Sequence, residues 1–181
     1  MKEKFYVFTD IDGTLTDIEN TQKMFSSKEL SKLYLSKGQL YYERAVIKKE
    51  SVQALDFLLS SLENQFDTQL IISSDIRVEL EPLVDKLKEL GLKYPKQIYK
   101  TPKIHIDEQG KTYTGRALEI LAFLKNKPNA ENLVIIDDSC YDLNKYFSPD
   151  KIIKTDCRRR ALDNEHVNNF LLNLPENSKN K

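Results

Sequence analysis

No apolar run in this sequence approaches the roughly 18 to 20 residues needed to cross a bilayer, and its charges cancel, 28 basic against 28 acidic. The first absence excludes a transmembrane helix. The second removes any whole-molecule field that would draw the chain to nucleic acid or membrane, so a basic recognition surface has to be local. Cysteine is scarce too: Cys140 and Cys157 stand alone, without zinc-site spacing. Reduced thiols and a cytoplasmic setting are expected, with export by a signal-independent route left open. The apolar residues 5–8 are too few for a signal peptide and run straight into an acidic segment, so they read as a strand. An apolar fraction of 40% with 31% charged residues is ordinary for a soluble globular chain. The length, 181 residues, suits one domain, expected over 1–175, with 176–181 as a frayed polar tail.

Short apolar runs alternate with helical spacing. Residues 5–9 form a β-favouring run ending at Asp10, as in a strand buried on both faces of a parallel sheet. Val52, Leu55, Leu58, Leu59 and Leu62 predict a helix over 51–62. Residues 70–72 give a second strand closing at Ser73, and Leu80, Leu83, Val84, Leu87 and Leu90 predict a helix over 79–90 that Gly91 stops. A third strand is expected at 98–99, and the polar residues 102–113 read as a loop or a small hairpin. A helix over 116–125 then feeds the most apolar strand, 133–136, which ends at Asp137 and Asp138. Residues 152–153 offer a last strand and 167–172 a last short helix. The alternation predicts an α/β fold, a doubly wound, Rossmann-like parallel sheet flanked by helices. Ligands bind such sheets beyond the carboxyl ends of the strands. Asp10, Ser73 and the pair Asp137 and Asp138 each follow a predicted strand, so the topology gathers them at one edge.

Asp10 and Asp12 place two carboxylates two residues apart at a strand end, followed by Gly13, Thr14 and Thr16. One carboxylate can attack phosphorus and form an aspartyl-phosphate, which splits a hard hydrolysis into two easier displacements. The other can protonate the leaving oxygen and then deprotonate water. Both offer the hard oxygens that Mg²⁺ prefers. Such a segment alone is also an acidic turn or part of a calcium loop, though the further acidic positions of a calcium loop are missing. Asp137 and Asp138 are adjacent carboxylates at the end of a buried strand, and they repel unless a cation lies beside them.

Residues 8–17, FTDIDGTLTD, resemble the first motif of the haloacid dehalogenase (HAD) superfamily. The resemblance runs on in order over about residues 5–157. Ser73 of LIISSD stands where the second motif's hydroxyl would bind a phosphoryl oxygen, and Arg116 of GRALEI where the third motif's cation, more often Lys, opens a helix. VIIDDS supplies the acidic pair Asp137 and Asp138, with Asp142 at the family's usual offset. This likeness implies a HAD-like fold without a large cap domain and a Mg²⁺-dependent phosphatase. Asp10 would be the nucleophile and Asp12 the general acid/base. Asp10, the Asp12 backbone carbonyl and Asp138 would hold Mg²⁺, and Asp137 would bind through water or orient the cation.

A narrower resemblance rests on LIISSDIR, on GLKYP followed by Thr101 and Pro102, on Arg116, Glu119 and Ile120, and on VIIDDS. These are similar to the small HAD domains of RNA-repair proteins and, more loosely, to the phosphatase half of polynucleotide kinase-phosphatases. Where that family often has Gly-Leu-Thr, this chain has residues 155–162, TDCRRRAL. Arg158, Arg159 and Arg160 fit a phosphate backbone, an anionic membrane surface or a solvated face. Arg77 is a second candidate clamp for a phosphoryl group, and Lys100, Lys103 and Lys111 are rivals for the place of Arg116. Tyr34, Tyr41 and Tyr42 fall where the superfamily places a flap; they would stack on a base or aryl phosphate, or pack as hinge residues. His105 reads as a surface histidine. The expected partner is a phosphorylated substrate, with a macromolecule (a nucleic-acid end or a phosphoprotein) favoured over a small metabolite. A catalytically silent binding module is the rival of another class, and the intact Asp10, Asp12 and acidic pair argue against it.

Overall fold

The computed structural model describes residues 2–16, 47–74, 80–95, 97–102, 106–107, 112–113, 115–140, 142–156 and 160–174. Strand β1 (Lys4–Thr9) is followed by helix α1 (Lys49–Glu63), strand β2 (Asp67–Ile72), helix α2 (Leu80–Glu89) and strand β3 (Ile98–Lys100). A two-stranded antiparallel hairpin follows, β4 (Ile106–Asp107) with β5 (Thr112–Tyr113), so the polar stretch is the small hairpin rather than a plain loop. Helix α3 (Arg116–Leu124), strand β6 (Leu133–Asp137), two single turns of 3-10 helix, strand β7 (Ile152–Lys154) and helix α4 (Asn164–Leu172) complete the order.

The main sheet has the order β3-β2-β1-β6-β7 and every pairing in it is parallel. β1 and β6 are central and almost wholly buried, which is why both read as continuous apolar runs rather than alternating ones. The pleat still sorts their side chains. Phe5 and Val7 face a core built with Val52, Leu55, Leu58, Leu59 and Leu62 of α1, Leu83 and Leu87 of α2, and Val167 of α4. Tyr6 and Phe8 face the other core, with Ala117, Ile120 and Leu124 of α3. Each fully buried leucine on α1 contributes about 1.5–3 kcal/mol relative to an exposed one, so this helix anchors its layer. Gly91 ends α2 at φ +110°, a conformation that a side chain would strain.

Several boundaries differ from the sequence reading. β2 starts at Asp67, ahead of the expected 70–72, its first residues being polar and so outside the apolar run. Asp137 is the last residue of β6 rather than the first beyond it. Helix α4 begins at Asn164, ahead of the expected start at residue 167, because Asp163 caps it by accepting from the N–H groups of Glu165 and His166. Among the described residues no cap domain is present and no helix is long and apolar enough to cross a membrane.

Candidate active site

From β1 the sheet runs to β2 and β3 on one side and to β6 and β7 on the other. The order therefore reverses between β1 and β6, and the carboxyl ends of these two strands flank the crevice where doubly wound sheets bind ligands. Asp10 leaves β1 there with its N–H donating to the Ile136 carbonyl, 2.9 Å. The chain then folds back on itself. Leu15 and Thr16 both donate to the Ile11 carbonyl, and the Gly13 N–H donates to Thr16 Oγ1 at 3.1 Å. Gly13 sits at φ +72°, which the turn requires of a residue without Cβ. Thr14 ties the turn to the far end of the chain: its buried hydroxyl meets that of Thr155 at 3.1 Å, and its carbonyl accepts from Leu162 N–H.

Arg116, the first residue of α3, reaches across the crevice. Its Nη2 lies 3.3 Å from Asp10 Oδ1 and its Nε 3.3 Å from Asp137 Oδ2. Asp10 and Asp137 are 6% and 2% exposed, so both ion pairs are shielded from water. Burial drives the Asp10 carboxyl well above the usual carboxylate range; Arg116 opposes the shift, while Asp137 and Asp12 add to it. Burial likewise pushes Asp137 up to about 6, with Arg116 and a 2.8 Å hydrogen bond from the Ser139 N–H holding it down. One guanidinium thus serves two buried carboxylates and does not satisfy them fully.

Asp138 completes the group. Ligand oxygens of Asp10, Asp137 and Asp138 all lie within 4.8 Å of one another. Three carboxylates around one arginine are short of positive charge, and their oxygens are the hard donors that Mg²⁺ takes. This donor set fits the ion that the resemblance implies. The Asp12 side chain is outside the group of three.

Ser73 is where the sequence places it, one residue beyond β2 at the same edge, and is 1% exposed. Its N–H donates to the Thr9 carbonyl, and its hydroxyl accepts from Thr101 Oγ1 at 3.4 Å. Thr101 was seen only as part of a motif string; the parallel pairing of β2 with β3 makes it the neighbour of Ser73. Lys100, a rival to Arg116, closes β3 at the edge of the sheet, two strands from β1. Asp142 carries an unforeseen contact: its Oδ2 accepts from the Ala117 N–H in the first turn of α3, 3.0 Å.

The Cys140 thiol is buried, donates to the Asp137 carbonyl at 3.8 Å and is pushed up by burial and by Asp137, the opposite of what a nucleophilic thiolate needs. Of the three arginines in sequence, Arg160 is taken up by ion pairs with Asp163 and Glu165. Arg77, Lys103, Lys111, His105, Arg158, Arg159 and the tyrosines at 34, 41 and 42 lie outside the described residues. A cavity of 260 Å³ lined by Phe5, Phe66, Leu133, Phe170 and Leu174 lies at the opposite end of the sheet, where β1 and β6 begin. Glu131, Asn132, Asp150, Lys151 and Asn173 complete its lining, so it is a mixed polar and apolar gap.

Residues 6–167 match the model of a family described as the HAD domain in Swiss Army Knife RNA repair proteins. No curated protein matches the chain. Among solved structures, the HAD domain of the effector protein Lem4 from Legionella pneumophila is similar at 19% identity, over 76% of this chain and 74% of that one, with a TM-score of 0.38.

Proposed function

The chain belongs to the family of HAD domains found in Swiss Army Knife RNA repair proteins, and we propose that it is a phosphatase-type hydrolase, a Mg²⁺-dependent phosphomonoesterase acting through an aspartyl-phosphate on Asp10. The observation that carries this reading is the convergence of buried Asp10, Arg116 and Asp137 at the crevice between β1 and β6.

In the proposed reaction Arg116 and the Ser73 hydroxyl hold the phosphoryl oxygens and orient phosphorus toward Asp10. An Asp10 carboxylate oxygen forms a bond to phosphorus as the bond to the leaving oxygen breaks. The leaving oxygen takes the proton of the Asp12 carboxyl. Asp12, now a carboxylate, removes a proton from water, whose oxygen attacks phosphorus and releases Asp10 with orthophosphate. A Mg²⁺ ion held by Asp10, Asp138 and the Asp12 carbonyl, with Asp137 beside it, would neutralise charge on the transferring group. Asp137 also forms an ion pair with Arg116, and so keeps the guanidinium between the two strands.

Polynucleotide ends are the proposed substrates, ahead of phosphoproteins and small metabolites. The family description refers to RNA repair proteins. Thr155 and Leu162, which flank Arg158 and Arg159 in the sequence, are both hydrogen-bonded to Thr14 in the turn after Asp10. A basic contact from Arg158 and Arg159 to the phosphate backbone is part of the proposal, as binding of a nucleic-acid end requires.

Hydrolysis of p-nitrophenyl phosphate and of 3′- and 5′-phosphorylated oligoribonucleotides, with Mg²⁺, with EDTA and with Asp10→Asn, tests both parts. Turnover that needs metal and Asp10 is expected, with oligonucleotide rates falling steeply with salt. An active Asp10→Asn protein overturns the nucleophile. Metal-dependent turnover confined to phosphopeptides or metabolites overturns the substrate class while sparing the chemistry.

A further inference from the structure

Gly115 and Asp142 together hold the end of α3 that carries Arg116. The N-cap residue of α3 is Gly115, which has no side chain to satisfy the helix's first N–H groups. Asp142 supplies that acceptor from 25 residues away, with Oδ2 at 3.0 Å from the Ala117 N–H. A Cβ on Gly115 would stand 3.1 Å from the same oxygen. The backbone at Gly115, φ −114° and ψ 130°, is open to any residue. What glycine provides here is room for the carboxylate rather than conformational freedom: an alanine Cβ would press on the Asp142 oxygen, which would have to give way. A carboxylate at this point also meets the positive end of the helix dipole.

Arg116 lies between these two contacts in sequence, so the seat that fixes Gly115 and Ala117 also fixes where the Arg116 side chain begins. Its guanidinium then spans Asp10 and Asp137. Asp142 stands outside the group Asp10, Asp137 and Asp138 whose ligand oxygens converge.

We infer that Asp142 is a positioning residue: its carboxylate, seated on the Ala117 N–H in the space left by Gly115, sets the place of Arg116 against Asp10. Its consequence for turnover rests on the phosphatase reading, in which Arg116 holds the phosphoryl group. The contact itself does not.

The test compares Asp142→Ala, Asp142→Asn, Gly115→Ala and the double variant Gly115→Ala/Asp142→Ala, using p-nitrophenyl phosphate, inhibition by orthophosphate, Mg²⁺ titration and amide exchange at Ala117. Asp142→Ala and Gly115→Ala are expected to raise KM and the orthophosphate inhibition constant about tenfold, the worth of one well-placed hydrogen bond. The Mg²⁺ concentration for half-maximal rate stays near that of the parent. Asp142→Asn keeps an acceptor oxygen without the charge and recovers most of the loss. The double variant is no worse than Asp142→Ala, because the crowding at residue 115 needs the Asp142 oxygen.

Asp142→Asn as impaired as Asp142→Ala, with a raised Mg²⁺ requirement, would overturn the inference and make Asp142 act by charge on the metal. A lower melting temperature in Asp142→Ala with KM and inhibition unchanged would overturn it as well, leaving an ordinary helix cap. If the parent shows no Asp10-dependent turnover, the functional reading fails separately. Ala117 exchange then decides the seat: it is faster in Asp142→Ala and Gly115→Ala than in the parent or Asp142→Asn if the seat is as inferred, and equal in all four if it is not.

Discussion

Arg116 Nη2 stands 3.3 Å from Asp10 Oδ1, a contact between residues 106 positions apart that closes the crevice between β1 and β6. The same side chain reaches Asp137 through Nε. A planar fork can serve both carboxylates at once, whereas an ammonium is a single point of charge on a flexible stem. A lysine at position 116 could not make both contacts through separate nitrogens.

Arg116→Ala should lower kcat for p-nitrophenyl phosphate by about 10²–10³-fold, the usual effect of losing one charge-stabilising donor at a transferring group. Arg116→Lys should restore part of the rate. A lysine variant no better than alanine would mean that the two-pronged geometry, rather than the charge, is what the site requires. Steady-state kinetics at saturating Mg²⁺ make the comparison.

Asp137 ties the site's charge to its stability. Its folded carboxyl titrates at about 6, above the usual value of 3.8. The stability associated with its protonated form is fully present below pH 3.8 and is lost as pH rises through about 6. In EDTA, Asp137→Asn should therefore melt increasingly above the parent as pH goes from 4 to 7, and lose activity in Mg²⁺. Thermal melts of both proteins across that range measure the gap; a gap that narrows with rising pH would contradict the sign.

Asp163 has the opposite sign. Burial alone would raise it, but the His166 N–H and the Arg160 guanidinium outweigh burial and hold it below the usual carboxylate value. Its contribution is present above the unfolded value and lost as pH falls through the lower folded one. Asp163→Ala should cost about 1 kcal/mol at neutral pH, as for other N-cap deletions. The difference from the parent should shrink on acidification below pH ~4, read from denaturant melts.

These residues also show what a sequence discloses. β1 and β6 were legible because burial on both faces leaves unbroken apolar runs, β2 only in its buried half, residues 70–72, and Asp10, Ser73 and the acidic pair followed from their places at the strand ends. The start of α4 was not, since Asn164, Glu165 and His166 are polar and Val167 is the one buried residue of that helix. The hairpin β4–β5 stayed one of two alternatives because two-residue strands carry no periodicity. Asp142 read only as an offset partner, with nothing in the sequence to tie it to Gly115. Their shared contact is set by how α3 packs against the loop after β6, which no local pattern encodes.

The last prediction concerns the tie between the two ends of the chain. Thr14 and Thr155 are buried, and each hydroxyl has the other as its hydrogen-bond partner at 3.1 Å. Thr155→Val leaves the Thr14 hydroxyl without that partner and should cost about 1–3 kcal/mol. Replacing both threonines by valine removes donor and acceptor together, and should return most of the stability, since an apolar pair of similar shape leaves no unsatisfied group. Turnover need not follow. If the hydroxyl pair also fixes the turn that follows Asp10, the double variant regains its melting temperature while its kcat stays below the parent's. Stability and rate recovering together would mean that shape alone holds the turn. Denaturant melts and steady-state kinetics on the two single variants and the double variant separate these outcomes, because the cycle isolates the coupling of the pair from the loss of either hydroxyl.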